Sequence, residues 1–192
     1  MRVFVPATTT MLRALIDDGE FSPISRTAFA VTPTLREAYS SGDDDELADV
    51  ALREAARASL RLLGGEGEVD ETDGGADADA DVDVDVDAAA AAAAAAGSAP
   101  RRVVIAADVD PVTLRPDLDD AVVRLPQPLS LRQVASVHVD LAEAEPAVRA
   151  AVEAIDAADL GDVDAEFVLG DAEDHELAWY APQEIPFLLD LM

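Results

Sequence analysis

The chain has no cysteine. It also has no lysine and no asparagine, so all 13 of its basic residues are arginine. Without cysteine there are no disulfides, thiolate zinc sites, iron–sulfur clusters or cysteine nucleophiles. Aromatic residues make up only 4%, so the core is built mainly from Ala, Val and Leu. No apolar run reaches the roughly 18 residues that a membrane-spanning helix needs. Base is scarce as well: 41 acidic side chains face 13 arginines, a net charge of −28. A nucleic-acid binder needs a basic footprint to neutralise phosphates, and this chain has none. The same charge repels anionic membranes, so a partner steered from a distance is expected to be basic. The opening Met1-Arg2-Val3-Phe4-Val5-Pro6 enters a strand-like run directly. It lacks the long apolar segment of a secretory signal, so the expected location is cytoplasmic.

What is present fits one domain with an insertion. The chain has 192 residues, half of them hydrophobic, enough for a stable core without staples. Charge divides it into three parts: residues 1–64 carry −3, residues 65–99 carry −11 with no base, and residues 100–192 carry −14. The middle part alternates Asp with Ala and Val from Asp77 to Asp87, then runs through nine alanines, Ala88 to Ala96. Repelling charges at every second residue with little apolar surface predict a disordered acidic insertion. Its aspartates do not make a calcium loop, because Val82 stands where the loop needs glycine. The two flanking parts are expected to fold together as the N-terminal and C-terminal halves of a single domain.

Hydrophobic periodicity outlines both halves. Arg2 to Pro6 reads as a strand. Thr8, Thr9 and Thr10 can cap a helix that runs to about Asp18 and stops at Gly19. Thr27 to Val31 reads as a second strand, and Thr32-Pro33 as a helix start. A long amphipathic helix is predicted from about Asp44 to Leu63, with Leu47, Ala51, Ala55, Ala58 and Leu62 on one stripe. Beyond the insertion, Arg102 to Val109 and Ala121 to Leu125 read as strands, and Leu129 to Ala135 as a short helix. Val137, Val139 and Leu141 alternate with polar residues as a two-faced strand. Asp140 with Glu143 looks like a capping pair for a helix over 142–158. His175 to Tyr180 reads as a last strand and Pro182 to Leu191 as a terminal helix. The fold expected is α/β: one mixed sheet covered by helices, built from two similar β-α-β-α halves, with an α+β two-layer sandwich as the alternative.

The opening Met1 to Thr8, the blocks Ala28-Phe29-Ala30-Val31-Thr32-Pro33 and Val134-Ala135-Ser136-Val137-His138-Val139-Asp140, and the ending Trp179-Tyr180-Ala181-Pro182-Gln183-Glu184-Ile185 carry a resemblance. Together with Leu35-Arg36-Glu37-Ala38-Tyr39, Ala55 to Leu63 and Arg101 to Val104, they resemble a family of small proteins of unknown function from high-GC Gram-positive bacteria. The resemblance covers both halves and skips the insertion. It implies a bacterial cytoplasmic protein and a coding bias behind the missing lysine and asparagine. It assigns no catalytic residue.

Several residue groups are candidate sites. Ligands in helix-covered sheets often sit where strands end and helix N-termini present free N–H groups. Thr8 and Thr9 mark one such corner, Thr32 and Thr34 another, and Asp108 ends a third strand. If those strands run parallel and adjacent, Thr8, Thr32 and Arg36 would hold a phosphate or carboxylate. Helix capping accounts for the same threonines without a ligand. Arg53, Arg57 and Arg61 recur every four residues and form a ridge, either an interaction surface or a solvated face with Asp49 beside Arg53. His138 and Asp140 share a strand face with Ser136, the outline of an oriented base. Trp179 and Tyr180, ahead of Gln183 and Glu184, suggest either helix anchoring or a pocket wall. His175-Glu176 lacks the second histidine of a zinc helix, so no metal site and no cofactor is expected. The reading that follows is a non-catalytic cytoplasmic binding or protein-interaction module with a basic protein partner. The alternative is a small enzyme or sensor that takes an anionic metabolite at the strand-to-helix corners. A metal-assisted hydrolase using Asp108, Asp110 and His138 is a third option.

Overall fold

The computed structural model describes residues 1–71 and 99–192; most of the acidic insertion lies outside them. At its centre, β1 (Arg2–Ala7) and β4 (Val103–Asp108) pair antiparallel from Arg2 opposite Asp108 to Ala7 opposite Val103. Both are buried along nearly their whole length, as interior strands with both faces covered must be. Outside β1 lie β3 (Thr27–Phe29), β6 (Val122–Arg124) and β5 (Thr113–Leu114); outside β4 lie β8 (Val134–Val139) and β9 (Ala178–Tyr180). Every pairing in this seven-stranded sheet is antiparallel. The helix-covered sheet is the expected architecture, but it is wholly antiparallel where a mixed sheet was expected.

Alternation along the strands divides the core. Val3, Val5, Val103, Ile105, Val137 and Val139 meet Leu12 and Leu15 of α1 (Thr9–Asp18) and Leu188 and Leu189 of α6 (Ile185–Asp190). On the other face, Phe4, Phe29, Val104 and Ala106 meet Leu47, Ala51 and Ala55 of α3 (Asp44–Glu71). The second half of α3 carries Leu60 into a separate cluster. There it meets Val148 and Ile155 of α4 (Glu145–Asp159) and Leu169 of α5 (Val163–Glu173). Buried Ser59 fastens α3 to the sheet: its hydroxyl donates to the Ala7 carbonyl at 2.7 Å and accepts from the Val103 N–H at 3.1 Å.

The two expected β-α-β-α halves share only part of their order, because β5 and β6 rather than a helix follow β4. Short strands β2 (Glu20–Phe21) and β7 (Leu129–Ser130) pair with each other. Each leads through a 3-10 turn, Ile24–Arg26 or Leu131–Gln133, into β3 or β8. Thus β2, its turn and β3 correspond to β7, its turn and β8.

Other expectations need correction. Leu129 to Ala135 is not a helix; it is β7, the 3-10 turn and the start of β8. A capping box explains the turn: the Ser130 hydroxyl accepts from the Arg132 N–H while the Gln133 side chain accepts from the Ser130 N–H. Helix α3 does not stop at Leu63 but continues through Gly64 and Gly65 to Glu71, with Gly64 in reach of Val152 on α4. Asp140 does not cap α4, because its carboxylate is held by Arg102. Helix α5 had no counterpart in the sequence reading. The helix starts at Thr8 and Thr32 are as expected: their hydroxyls accept from the N–H groups of Met11, at 3.2 Å, and Leu35, at 3.0 Å, the latter opening α2 (Pro33–Ala38).

Candidate functional site

Strand β8 and the edge strand β9 lie beyond the strands against which α3 packs, while α5 packs on α4 and is tied to α3 through Arg57. Between them lies a cleft of about 620 Å³. Asp49, Leu52 and Arg53 of α3 form one wall; Gly170, Glu173 and Asp174, at the end of α5, form the other. His138 of β8 and Trp179 of β9, directly paired across the ladder, lie beneath, and His175, Glu176 and Leu177 close the end. Both histidines and the single tryptophan of the chain therefore meet in one place.

The floor is fixed by an ion pair. Arg102 and Asp140 are both buried. The guanidinium donates to the carboxylate at 2.9 Å from Nε and 2.8 Å from Nη2. The Arg102 backbone N–H adds a third bond to Asp140 at 2.8 Å, and Nη2 also donates to the His175 carbonyl at 2.9 Å. This fork neutralises its own charge and anchors the segment leading into β9.

The mouth is acidic. Asp49, Glu173, Asp174 and Glu176 are exposed around it, against the exposed Arg53. Arg53 has no carboxylate within ion-pair distance among the described residues. Burial holds the His138 pKa below its ordinary value, with Asp49 pulling the other way. The imidazole at the floor is therefore neutral near pH 7. His138 Nε2 lies 3.3 Å from the Ser136 hydroxyl, which is itself buried. Trp179 is 59% exposed. Among the described residues, no group of three or more His, Asp or Glu is placed to hold a metal ion.

A family model described as a family of unknown function (DUF6912) matches residues 1–189. The chain belongs to that family. No curated protein and no solved structure matches it. Membership in DUF6912 names no chemistry, so the site rests on geometry. No helix among the described residues is long and apolar enough to cross a membrane.

The residues singled out in the DUF6912 sequence are distributed over the molecule. Because β1 and β3 run antiparallel, Thr8 and Thr32 stand at opposite ends of the sheet and do not converge. The Thr8 hydroxyl donates to Glu66 at 2.7 Å, and burial pushes that carboxyl above its ordinary pKa. Thr32 donates to the Asp120 carbonyl, and Arg36 pairs with Asp44. Thr9 is buried in α1, and Thr34 is half-buried on α2. Asp108 pairs with Arg2 at 2.8 Å. In the arginine ridge, Arg57 reaches Glu166 at 2.8 Å and Arg61 reaches Asp159 at 2.6 Å, so both tie α3 to the α4–α5 pair; Arg53 alone enters the cleft. Gln183 is exposed in the turn before α6, and Glu184 there accepts from the Ala181 N–H at 2.8 Å. Neither lines the cleft. Of the named candidates, Arg53 and Trp179 come together, joined by His138 and His175. Sequence reasoning missed Arg102, Glu173 and Asp174. A buried arginine bridging to a carboxylate 38 residues away leaves no local signal.

Proposed function

We propose that this DUF6912 chain is a non-catalytic binding module whose cleft between α3 and α5 takes a cationic group. The observation that carries the reading is the ring of Asp49, Glu173, Asp174 and Glu176 beside the exposed ring of Trp179. A cation over tryptophan gains about 0.5–2 kcal/mol, and each exposed ion pair adds about 0.2–1 kcal/mol. Together these give affinity of millimolar order, so a specific ligand must also bring apolar surface against Leu52, Leu177 and Trp179. No hydroxyl side chain is among the described residues that line the cleft, Ser136 beside His138 is buried, and Asp140 is held by Arg102, which supports a non-catalytic role. The alternative, an anionic metabolite at the strand-to-helix corners, has less support. No single small ligand spans Thr8 and Thr32, and Thr8 already faces the Glu66 carboxyl. Composition and the family resemblance favour a cytoplasmic protein of a high-GC Gram-positive bacterium with a basic partner.

Trp179 is the only tryptophan, so its emission reports on the cleft. Agmatine should change it saturably, more weakly as salt rises and more weakly in Asp49→Asn/Asp174→Asn. Citrate should leave it unchanged. A response to citrate with none to agmatine would reverse the proposed sign of the ligand.

A further inference from the structure

Helix α5 has two apolar lines. Ala165, Leu169 and Ala172 face the core. Val163, Phe167, Gly170 and Asp174, spaced by four, three and four residues, form the line on the opposite side. Val163 is 67% exposed and Phe167 73%, and Leu160, in the turn before the helix, is 90% exposed. Single exposed hydrophobics are ordinary; Val163 and Phe167, one turn apart on one side of α5, with Leu160 in the turn that leads into the helix, make a patch. The patch leads into the cleft, because Gly170 and Asp174 belong to both. From Val163 to Asp174 the line extends about 16 Å at 1.5 Å per residue. A Cβ at Gly170 would meet nothing within 4 Å, so packing within the chain does not require glycine there. Its bareness leaves the passage from Phe167 to the cleft open.

The charge around this line selects its occupant. Asp164 and Asp171 flank it on the side away from α3; on the α3 side stand Glu166 and Glu173, both within reach of Arg57. Helix α5 contains no basic residue. A second copy would set these carboxylates against their own kind on a chain of net charge −28. The complementary surface is apolar along one line and basic beside it, the pattern of a cationic amphipathic helix.

We infer that the outer face of α5 docks a basic amphipathic helix of a partner protein, which lays its apolar side on Leu160, Val163 and Phe167 and delivers a lysine or arginine side chain into the cleft beside Trp179. This deepens, and rests on, the reading of the cleft as a cation site. The test uses the full chain and an 18-residue, tryptophan-free Leu/Lys peptide patterned as an amphipathic helix. A scrambled peptide of the same composition keeps the charge and loses the apolar line. The patterned peptide should bind at least tenfold more tightly and shift Trp179 emission. Phe167→Ser and Gly170→Gln should each weaken it fivefold or more, while Leu118→Ser, at another exposed leucine, should not change it. Equal binding of the two peptides, or indifference to Phe167→Ser, would overturn the inference. If agmatine still perturbs Trp179 in that case, the cation cleft stands without the helix; if agmatine also fails, both readings fall. A concentration-dependent dimer abolished by Phe167→Ser would overturn the inference in favour of a second copy.

Discussion

Asp140 receives three bonds from Arg102, two from the guanidinium and one from the backbone N–H, and both residues are sealed from solvent. The residue that precedes β4 is thereby tied to the residue that follows β8, and the fourth bond of Arg102, to the His175 carbonyl, reaches the cleft.

Removing one partner leaves a buried charge uncompensated. Arg102→Met is expected to lose about 3–5 kcal/mol in urea unfolding. Arg102→Met/Asp140→Leu should recover part of that, because neither charge remains. It should stay about 1–3 kcal/mol below the parent, since the Arg102 N–H loses its buried acceptor. A double variant no better than the single one would contradict the ion-pair account.

Glu66 binds its proton more tightly in the fold than in the unfolded chain, chiefly through burial, with the Thr8 hydrogen bond opposing. The stability linked to that proton is fully present below the ordinary value of 4.5 and is lost as pH rises through the folded value. Glu66→Gln should therefore unfold at higher urea than the parent at pH 7. The gap should close at pH 4, and a gap that widens at low pH would refute the burial argument.

His138 behaves in the opposite sense. Burial lowers its folded pKa, with Asp49 working against the shift. Between the folded value and the ordinary 6.5, the unfolded chain binds more protons. This contribution is present above 6.5 and is lost as pH falls through the folded value. The urea midpoint should drop more between pH 7.5 and 5.5 in the parent than in His138→Gln. Parallel pH profiles would show that the imidazole is not desolvated.

Thr32→Ala is expected to cost about 0.5–2 kcal/mol through loss of the cap on α2. Thr32→Ser keeps both the acceptor for the Leu35 N–H and the donor to the Asp120 carbonyl and should stay close to the parent. Calorimetric melting of the three proteins checks this. Equal losses for Ala and Ser would point to the methyl group rather than the hydroxyl.

The periodic elements could be read in advance. Strands β1 and β4 show as apolar runs, α3 as a stripe through Leu47, Ala51 and Ala55, and the helix starts as Thr8 and Thr32-Pro33. Helix α5 did not show, because Val163 and Phe167 lie opposite Ala165 and Leu169 and erase the contrast between faces that marks a surface helix. The available sign was Asp162, whose carboxylate accepts from the N–H groups of Asp164, at 2.9 Å, and Ala165, at 3.1 Å. The cleft was illegible for a related reason. Asp49, His138, Asp174 and Trp179 are far apart in the chain, and only the order β4-β8-β9 and the packing of α4 against both α3 and α5 bring them together.

The amino-acid order by itself determined the acidic character, the absence of thiol chemistry, a helix-covered sheet and the capped helix starts. These follow from composition and from contacts within a few residues. Strand direction, the partner of Asp140 and the place where both histidines meet the tryptophan were decided by the tertiary structure. Each depends on burying apolar faces contributed by segments many residues apart, and no local stretch of chain encodes which of those segments become neighbours.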